Sequence, residues 1–385
     1  MRARAIPAQN TNLLSNLGVL GPPLMEWMAP APGIAMCHIG RCHTNPRRGP
    51  SMKEIATIGL DLAKSVFQVH AVDATGTVVI RRQIRRAQMM LFFSRLAPCL
   101  IGMEACAGAH YRARELAKLG HEVRLIPPSY VKPFVKRGKP DAADAEAICT
   151  AVTQPTMRFV PIKTETRQAV LMSHRTRDFL VRQLTQLANA IRAHLGEFGL
   201  VVPKGVHDMG RLVAEAEAAH LPPGARMPLD LLVGQFADPK TRIDTITADL
   251  RRAADEDETA RRLQAMPGIG PVTASVPAAT LPDVSVFRSA RDLSAWLGLT
   301  PKPHSSGGKE RLGAISKMGN RYIRRLLYLG AMGVISARKR SDPGDDRPGR
   351  MLGKKPLKVV AIALANRMAR AVRAMLRSGE AWRAA

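Results

Sequence analysis

Two short apolar runs, each ending on an acid, constrain this chain more than any other feature. Ile55-Ala56-Thr57-Ile58-Gly59-Leu60 delivers Asp61, and Cys99-Leu100-Ile101-Gly102-Met103 delivers Glu104. Runs this short read as buried strands, and open α/β sheets gather their ligands at strand ends. A third segment, Lys139-Pro140-Asp141-Ala142-Ala143-Asp144-Ala145, opens a helix expected over Asp141 to Val152, where residues three apart share a face. Asp141 and Asp144 then point one way, and four carboxylates are expected to converge. Such a set repels itself unless a divalent cation neutralises it, and oxygen ligands favour Mg²⁺, with Mn²⁺ as the alternative.

The strand pattern continues around these acids. Phe67, Val69 and Ala71 alternate with Gln68 and His70 in a strand expected over Ser65 to Val72. Asp73-Ala74-Thr75-Gly76 supplies a turn into a third strand, Thr77 to Ile84, and a helix follows near Gln88 to Leu96. After the Glu104 strand come a helix over His110 to Leu119, a strand over His121 to Ile126 and the Asp141 helix. Three strands, then helix and strand in alternation, is the order of the ribonuclease-H-like fold. Upstream, Met1 to Ser51 is rich in Pro, Gly and Asn and lacks both periodicity and a signal-peptide pattern. It is expected to be disordered, with Met52 as the natural start. Downstream, Leu180, Leu184, Leu187, Ile191, Leu195 and Phe198 form one apolar stripe on a helix over Glu165 to Phe198. A second helix, Lys240 to Met266, carries Ile243, Ile246 and Leu250, and Pro203 to Pro239 connects the two. The pair makes either a helical arm or ordinary core helices, since a stripe does not say what it meets.

At 385 residues the chain is long enough for two or three domains. Its 58 basic residues against 31 acids favour a polyanionic partner through counterion release, nucleic acid first. The excess is concentrated at the C-terminal end, where Pro301 onward holds 20 basic and 5 acidic residues. With only 4% aromatic residues, backbone contacts should outweigh base stacking. No apolar run reaches the roughly 18 residues of a membrane span, so no membrane association is expected. The five cysteines fit a reducing cytoplasm without disulfides, and Cys37-His38 and Cys42-His43 lack the spacing of a zinc site. Within the basic half, Met266-Pro267-Gly268-Ile269-Gly270-Pro271 has the turn of a helix-hairpin-helix, whose amides at a helix start can hold a DNA phosphate. His304 to Gly313 reads as an exposed polar loop, in which Ser305-Ser306-Gly307-Gly308 alone would pass for a linker. A basic helix over Arg321 to Ile335 follows, and the last helix, Pro356 to Leu376, sets Arg367, Arg370, Arg373 and Arg377 opposite an apolar face. Candidate nucleic-acid contacts are Gly268, Gly270, Lys309, Arg311, Lys317, Arg321, Arg324 and Arg325.

Taken together, Asp61, Glu104, Asp141-Ala-Ala-Asp144, Pro267-Gly-Ile-Gly270, Gly298-Leu-Thr-Pro301 with Ser306-Gly307, and Ser316-Lys-Met-Gly-Asn320 resemble the DEDD-type transposases of bacterial insertion sequences. The resemblance runs from about Met52 to Met375. It implies an α/β plus α architecture with a disordered extension over 1–51 and a ribonuclease-H-like, Holliday-junction-resolvase-like catalytic domain over 52–160. A helical coiled-coil arm over 161–262, a mostly α-helical C-terminal domain with the helix-hairpin-helix-like motif over 263–378, and a tail over 379–385 complete it. It further implies that Asp61, Glu104, Asp141 and Asp144 bind the metal and that Ser306 is the nucleophile, with Ser305 a neighbouring hydroxyl. A bridge-type noncoding RNA as guide, donor and target DNA as partners, and a dimer or tetramer joining one protomer's acids to another's serine are implied as well. So is a location in the bacterial cytoplasm with the nucleoid. Pro140 stands where the family often has a polar residue, which suits a helix's first turn. Two other classes compete: a structure-selective Mg²⁺-dependent nuclease that uses water, and a non-catalytic nucleic-acid-binding protein.

Overall fold

A computed structural model of the chain describes residues 54–135, 141–281, 283–304, 311–341 and 347–383. The expectations for the N-terminal extension, Met52 and the Cys-His pairs fall outside the described residues, as do Ser305, Ser306 and Lys309.

Strand β1 (Thr57–Leu62) sits at the centre of a five-stranded sheet because nearly all of it is apolar and buried on both faces. It pairs antiparallel with β2 (Val66–Val72), which pairs antiparallel with the edge strand β3 (Val78–Arg85). On its other side it pairs parallel with β4 (Leu100–Glu104), which pairs parallel with β5 (Glu122–Ile126). The resulting order, β3-β2-β1-β4-β5, is that of a ribonuclease-H-like sheet. Helices α1 (Met89–Phe93) and α2 (Ala109–Lys118) cover one face, where Ile58, Leu60, Phe67, Val69, Ile101 and Met103 are buried. After the short α3 (Pro128–Val131), helix α4 (Asp141–Val152) covers the other face. It buries Ala145, Ile148, Cys149 and Val152, the i, i+3, i+4, i+7 set of an inward stripe.

Helix α5 (Glu165–Gly196) starts at Thr164, whose side chain accepts a hydrogen bond from the Arg167 amide at 3.3 Å. It runs antiparallel to α7 (Pro223–Glu256), as its contacts show: Arg177 donates to Thr247 at 2.7 Å, Leu180 and Leu184 pack with Ile243, and Leu195 clusters with Leu229. Helix α6 (Met209–Ala218) packs at the far end. Two expectations are corrected here. The connection over Pro203 to Pro239 is mostly helical, and the second long helix starts at Pro223 rather than Lys240. Pro228 and Pro239 lie inside it. A proline costs a helix one hydrogen bond, but Phe236 and Ile243, on either side of Pro239, are packed on α5, and that packing carries the helix through. The helix also stops ten residues short of Met266. Asp257 breaks it and caps α8 (Glu258–Gln264), accepting from the Ala260 amide at 2.8 Å.

The C-terminal half is one helical cluster formed by α8, α9 (Pro271–Thr280), α10 (Ala290–Trp296), α11 (Arg321–Ser341), α12 (Arg347–Leu352) and α13 (Leu357–Ser378). It contains a hairpin that the sequence pattern left as loop: β6 (Pro301–Pro303) pairs with β7 (Leu312–Ile315). Arg373 is a further correction. Rather than lying on the exposed face of α13, it is buried and donates to the carbonyls of Phe287 at 2.5 Å and Arg288 at 3.2 Å. A tight glycine contact helps to organise the cluster. Gly268 has φ +88°, and a Cβ there would stand 2.9 Å from the Gly330 carbonyl oxygen of α11.

Candidate active site

Asp61 and Glu104 are brought side by side by strand register. Leu60 is paired with Met103, so the two acids occupy the next positions on neighbouring parallel strands, Glu104 as the last residue of β4. Side chains alternate along a strand, so Gly59 and Asp61 share one face, and so do Gly102 and Glu104. That face belongs to α4. A Cβ on Gly59 would lie 2.5 Å from the Cys149 amide nitrogen, and one on Gly102 would lie 2.8 Å from the Val152 Cβ. The adjacent glycines therefore form a flat pad on which α4 rests at backbone distance. Immediately before Ala145, the residue over Gly59, the helix carries Asp144, with Asp141 at its first position one turn earlier. Sequence reasoning overlooked this pad. Its signal was present as a glycine two residues before each strand acid.

The electrostatics link three of the acids. Burial raises the Glu104 carboxyl above its ordinary value, and the charges of Asp61 and then Asp144 raise it further. Burial, then Glu104 and Asp61, also push up the Cys106 thiol, which lies two residues beyond Glu104. Among the described residues no three His, Cys, Asp or Glu side chains stand close enough to form a ligand set. Asp141 has its backbone in α4, but its side chain is outside the described residues. The chemistry of these acids still suits a hard divalent cation: oxygen donors only, Asp61 and Glu104 half-buried, and the charges of Asp61 and Asp144 raising the proton affinity of Glu104.

The serine lies in sequence between β6 and β7, whose ends are joined where the His304 amide donates to the Arg311 carbonyl at 2.7 Å. Of the candidate basic contacts, Arg311, Lys317 and Arg321 are exposed. Lys317 takes a left-handed backbone, φ +56°, in the turn that leads into α11. Arg324 and Arg325 are engaged inside the molecule. Arg324 donates to the carbonyls of Leu297 at 2.7 Å and Met318 at 2.6 Å, while Arg325 pairs with Asp178 of α5. Gly268 is packed against α11, whereas Gly270, at the start of α9, has open space where a Cβ would stand. A large cavity, about 1040 Å³, lies instead between the β6–β7 hairpin and α13, lined by groups such as Leu299, Ile315, Val360 and Trp382. Among the described residues, no helix is long and apolar enough to cross a membrane.

Known proteins resemble this chain along most of its length. Residues 58–199 match a family described as "Transposase", of the DEDD type, and residues 260–343 match "Transposase IS116/IS110/IS902 family". The chain is 46% identical to a Pseudomonas aeruginosa protein named "Probable family 20 transposase", over 84% of this chain and 97% of that one. It is 40% identical to the transposase for insertion sequence element IS1328 of Yersinia enterocolitica, over 83% and 96%. With the transposase for IS1111A of Coxiella burnetii, identity is 35% over 88% and 94%. A ribonuclease-H-like sheet with an acid at two strand ends, two family matches in chain order and relatives aligned along most of their length have one consequence: the chain belongs to the IS116/IS110/IS902 family of insertion-sequence transposases.

Proposed function

We propose that this transposase cuts and rejoins DNA with Asp61, Glu104, Asp141 and Asp144 as a site for Mg²⁺ or Mn²⁺ and Ser306 as nucleophile. The observation that supports it most is the influence of the Asp61 and Asp144 charges on Glu104 at the end of the Gly59–Gly102 pad. A divalent ion held by these oxygens would supply Lewis-acid polarisation of a phosphodiester. The chain's own residues set the rest. The pad fixes how far α4 stands from the strand acids, and Glu104, already reluctant to ionise, is the carboxylate most relieved by a bound cation.

In the serine step, Ser306 Oγ forms a bond to phosphorus as the phosphorus–oxygen bond of the cut strand breaks. The serine proton leaves and the departing sugar oxygen gains one. A hydroxyl of another DNA strand reverses the exchange, so the phosphodiester energy is kept. Glycines 307 and 308 let a phosphate approach closely, and Lys309 and Arg311 carry the charge to neutralise it. In this reading α5 and α7 act as a coiled-coil arm, α8 and α9 as a helix-hairpin-helix that holds a phosphate at Gly270, and Arg311, Lys317 and Arg321 as backbone contacts. A noncoding RNA of the bridge type selects the DNA partners, and a homo-oligomer joins the acids of one protomer to the serine of another.

The test is to incubate the protein with candidate guide RNA, Mg²⁺ and both DNA partners, and to look for a denaturant-resistant protein-DNA species. It should disappear in Ser306→Ala and in Asp61→Asn, and persist in Ser305→Ala. Metal-dependent, Asp61-dependent cleavage without any adduct would assign the attack to water instead.

A further inference from the structure

We propose that His110 and Lys163, at the root of α5, with Arg175 further along that helix, form a binding site for a nucleic-acid phosphate, distinct from the acid cluster and the basic C-terminal surface. It rests on the reading of this chain as a transposase that acts on DNA.

The site is an accumulation of positive charge that the protein does not neutralise. Lys163 Nζ lies 3.1 Å from His110 Nε2, and the Lys163 amide donates to His110 Nδ1 at 3.3 Å. Arg114 donates to the Lys163 carbonyl at 2.8 Å and stands 3.7 Å from the exposed carboxylate of Glu165. Neither Lys163 nor Arg175 has a carboxylate partner among the described residues. The consequence is visible at the histidine. Burial, then the charges of Lys163, Arg114 and Arg175, hold His110 down at about 4, and burial with Arg175 also lowers Lys163. Half-buried Lys163 and Arg114 beside one neutral imidazole, with the charge of exposed Arg175 acting on it and one exposed carboxylate nearby, are electrostatically incomplete. An anion would complete them. A phosphodiester oxygen suits the set, since it accepts from an ammonium, a guanidinium and an imidazole alike.

The position suits a strand entering the active site. His110 lies in the first turn of α2, the helix into which the Glu104 strand leads, and Lys163 precedes the cap of α5. Arg114 is the structural member, since its bonds tie α2 to the root of α5. Lys163 and Arg175 are the members left for a ligand.

The experiment measures binding of the full chain to fluorescent duplex DNA, and separately to RNA of the same length, across a salt series in chelator so that nothing is cut. The double variant Lys163→Gln/Arg175→Gln should lower the slope of log affinity against log salt by about 1 to 2 and weaken low-salt binding by roughly tenfold or more. Lys118→Gln, whose ammonium already has Glu115 at 2.8 Å, should leave the slope unchanged. Whichever nucleic acid loses slope identifies the source of the phosphate. If the double variant does not fold, Arg175→Gln alone, at an exposed position, should lower the slope by about 1. A melting temperature that moves while the slope stays fixed would make the cluster a structural joint and overturn the proposal. A wild type that cleaves in an Asp61-dependent way with an unchanged variant slope loses only this inference. A wild type that binds neither nucleic acid removes the transposase mechanism with it.

Discussion

Gly59→Ala is the sharpest mechanical test of how this site is assembled. The added Cβ would stand 2.5 Å from the Cys149 nitrogen, 2.8 Å from the Cys149 Cβ and closer still to the Ala145 carbonyl oxygen, where ordinary contact begins at 3.4 Å. All but one of these atoms are backbone, and the strand is central, so neither side yields by rotating a side chain. Helix α4 must retreat by about 1 Å, an overpacking that costs about 1–3 kcal/mol. The sheet, held by its own ladder, stays intact. What moves is the pair of acids at the start of α4 relative to Asp61 and Glu104, and a displacement of about 1 Å in a reacting geometry costs roughly 100-fold in rate. At Gly102 the nearest atoms are side-chain carbons of Val152 and Ile148, at 2.8, 3.0 and 3.2 Å, which can shift by tenths of an ångström. Gly102→Ala should therefore be the milder variant. Metal-dependent strand cleavage gives the rate, and thermal unfolding followed by circular dichroism gives the stability. A Gly59→Ala protein with wild-type cleavage and melting, or one less impaired than Gly102→Ala, would refute the reasoning.

Three further outcomes are expected. Because Glu104 titrates above its ordinary 4.5 when folded, the folded state binds the extra proton, and stability falls as pH rises through the raised value. In chelator, Glu104→Gln should melt higher than wild type at pH 7, with the difference closing as the pH drops below about 4.5; equal melting at pH 7 would mean that the acids do not crowd one another. His174 bonds Ser275 at 2.8 Å and is held at about 4 by burial, so the folded state loses stability as pH falls from 6.5 towards 4. His174→Gln should flatten that acid limb, His110 supplying what slope remains, and an unaltered urea midpoint profile between pH 7 and 4 would contradict it. Finally, Gly268→Ala should destabilise the C-terminal cluster, since its φ of +88° and its 2.9 Å approach to α11 both oppose a side chain, whereas Gly270→Ala should melt as wild type. Comparable melting of the two would show that the turn does not depend on that contact.

The strands, with Asp61 and Glu104 at their ends, were legible because short apolar runs and period-two alternation leave few options. The Asp141 helix was legible from its proline start and alanine content, and it begins at Asp141 as expected. What escaped depended on neighbours distant in sequence. Pro228 and Pro239 fall in a stretch read only as a connection, but α7 runs through both, and contacts with α5 hold it at Pro239. The β6–β7 hairpin has almost no apolar pattern, because Pro301 and Pro303 are exposed and its pairing is short. Arg373 looked like one more surface base, since nothing local reveals that the carbonyls after Val286 wait for it. The pad was legible after the fact: a glycine in a buried strand asks what comes close, and the answer was α4.

Helix α5 is shared in succession by different neighbours. His174 meets Ser275 and Tyr322 of the C-terminal cluster, Leu180 and Leu184 meet α7, and Leu195 meets the far-end group. Its middle turns, through Leu180 and Leu184, pack on α7. Removing seven residues from that stretch of α5, with the matching seven from α7, would preserve the facing stripes and shorten the span by about 10 Å. Span and fastening are thus separate in this chain. A change of span by whole heptads would leave both the strand ends that carry Asp61 and Glu104 and the β6–β7 hairpin untouched.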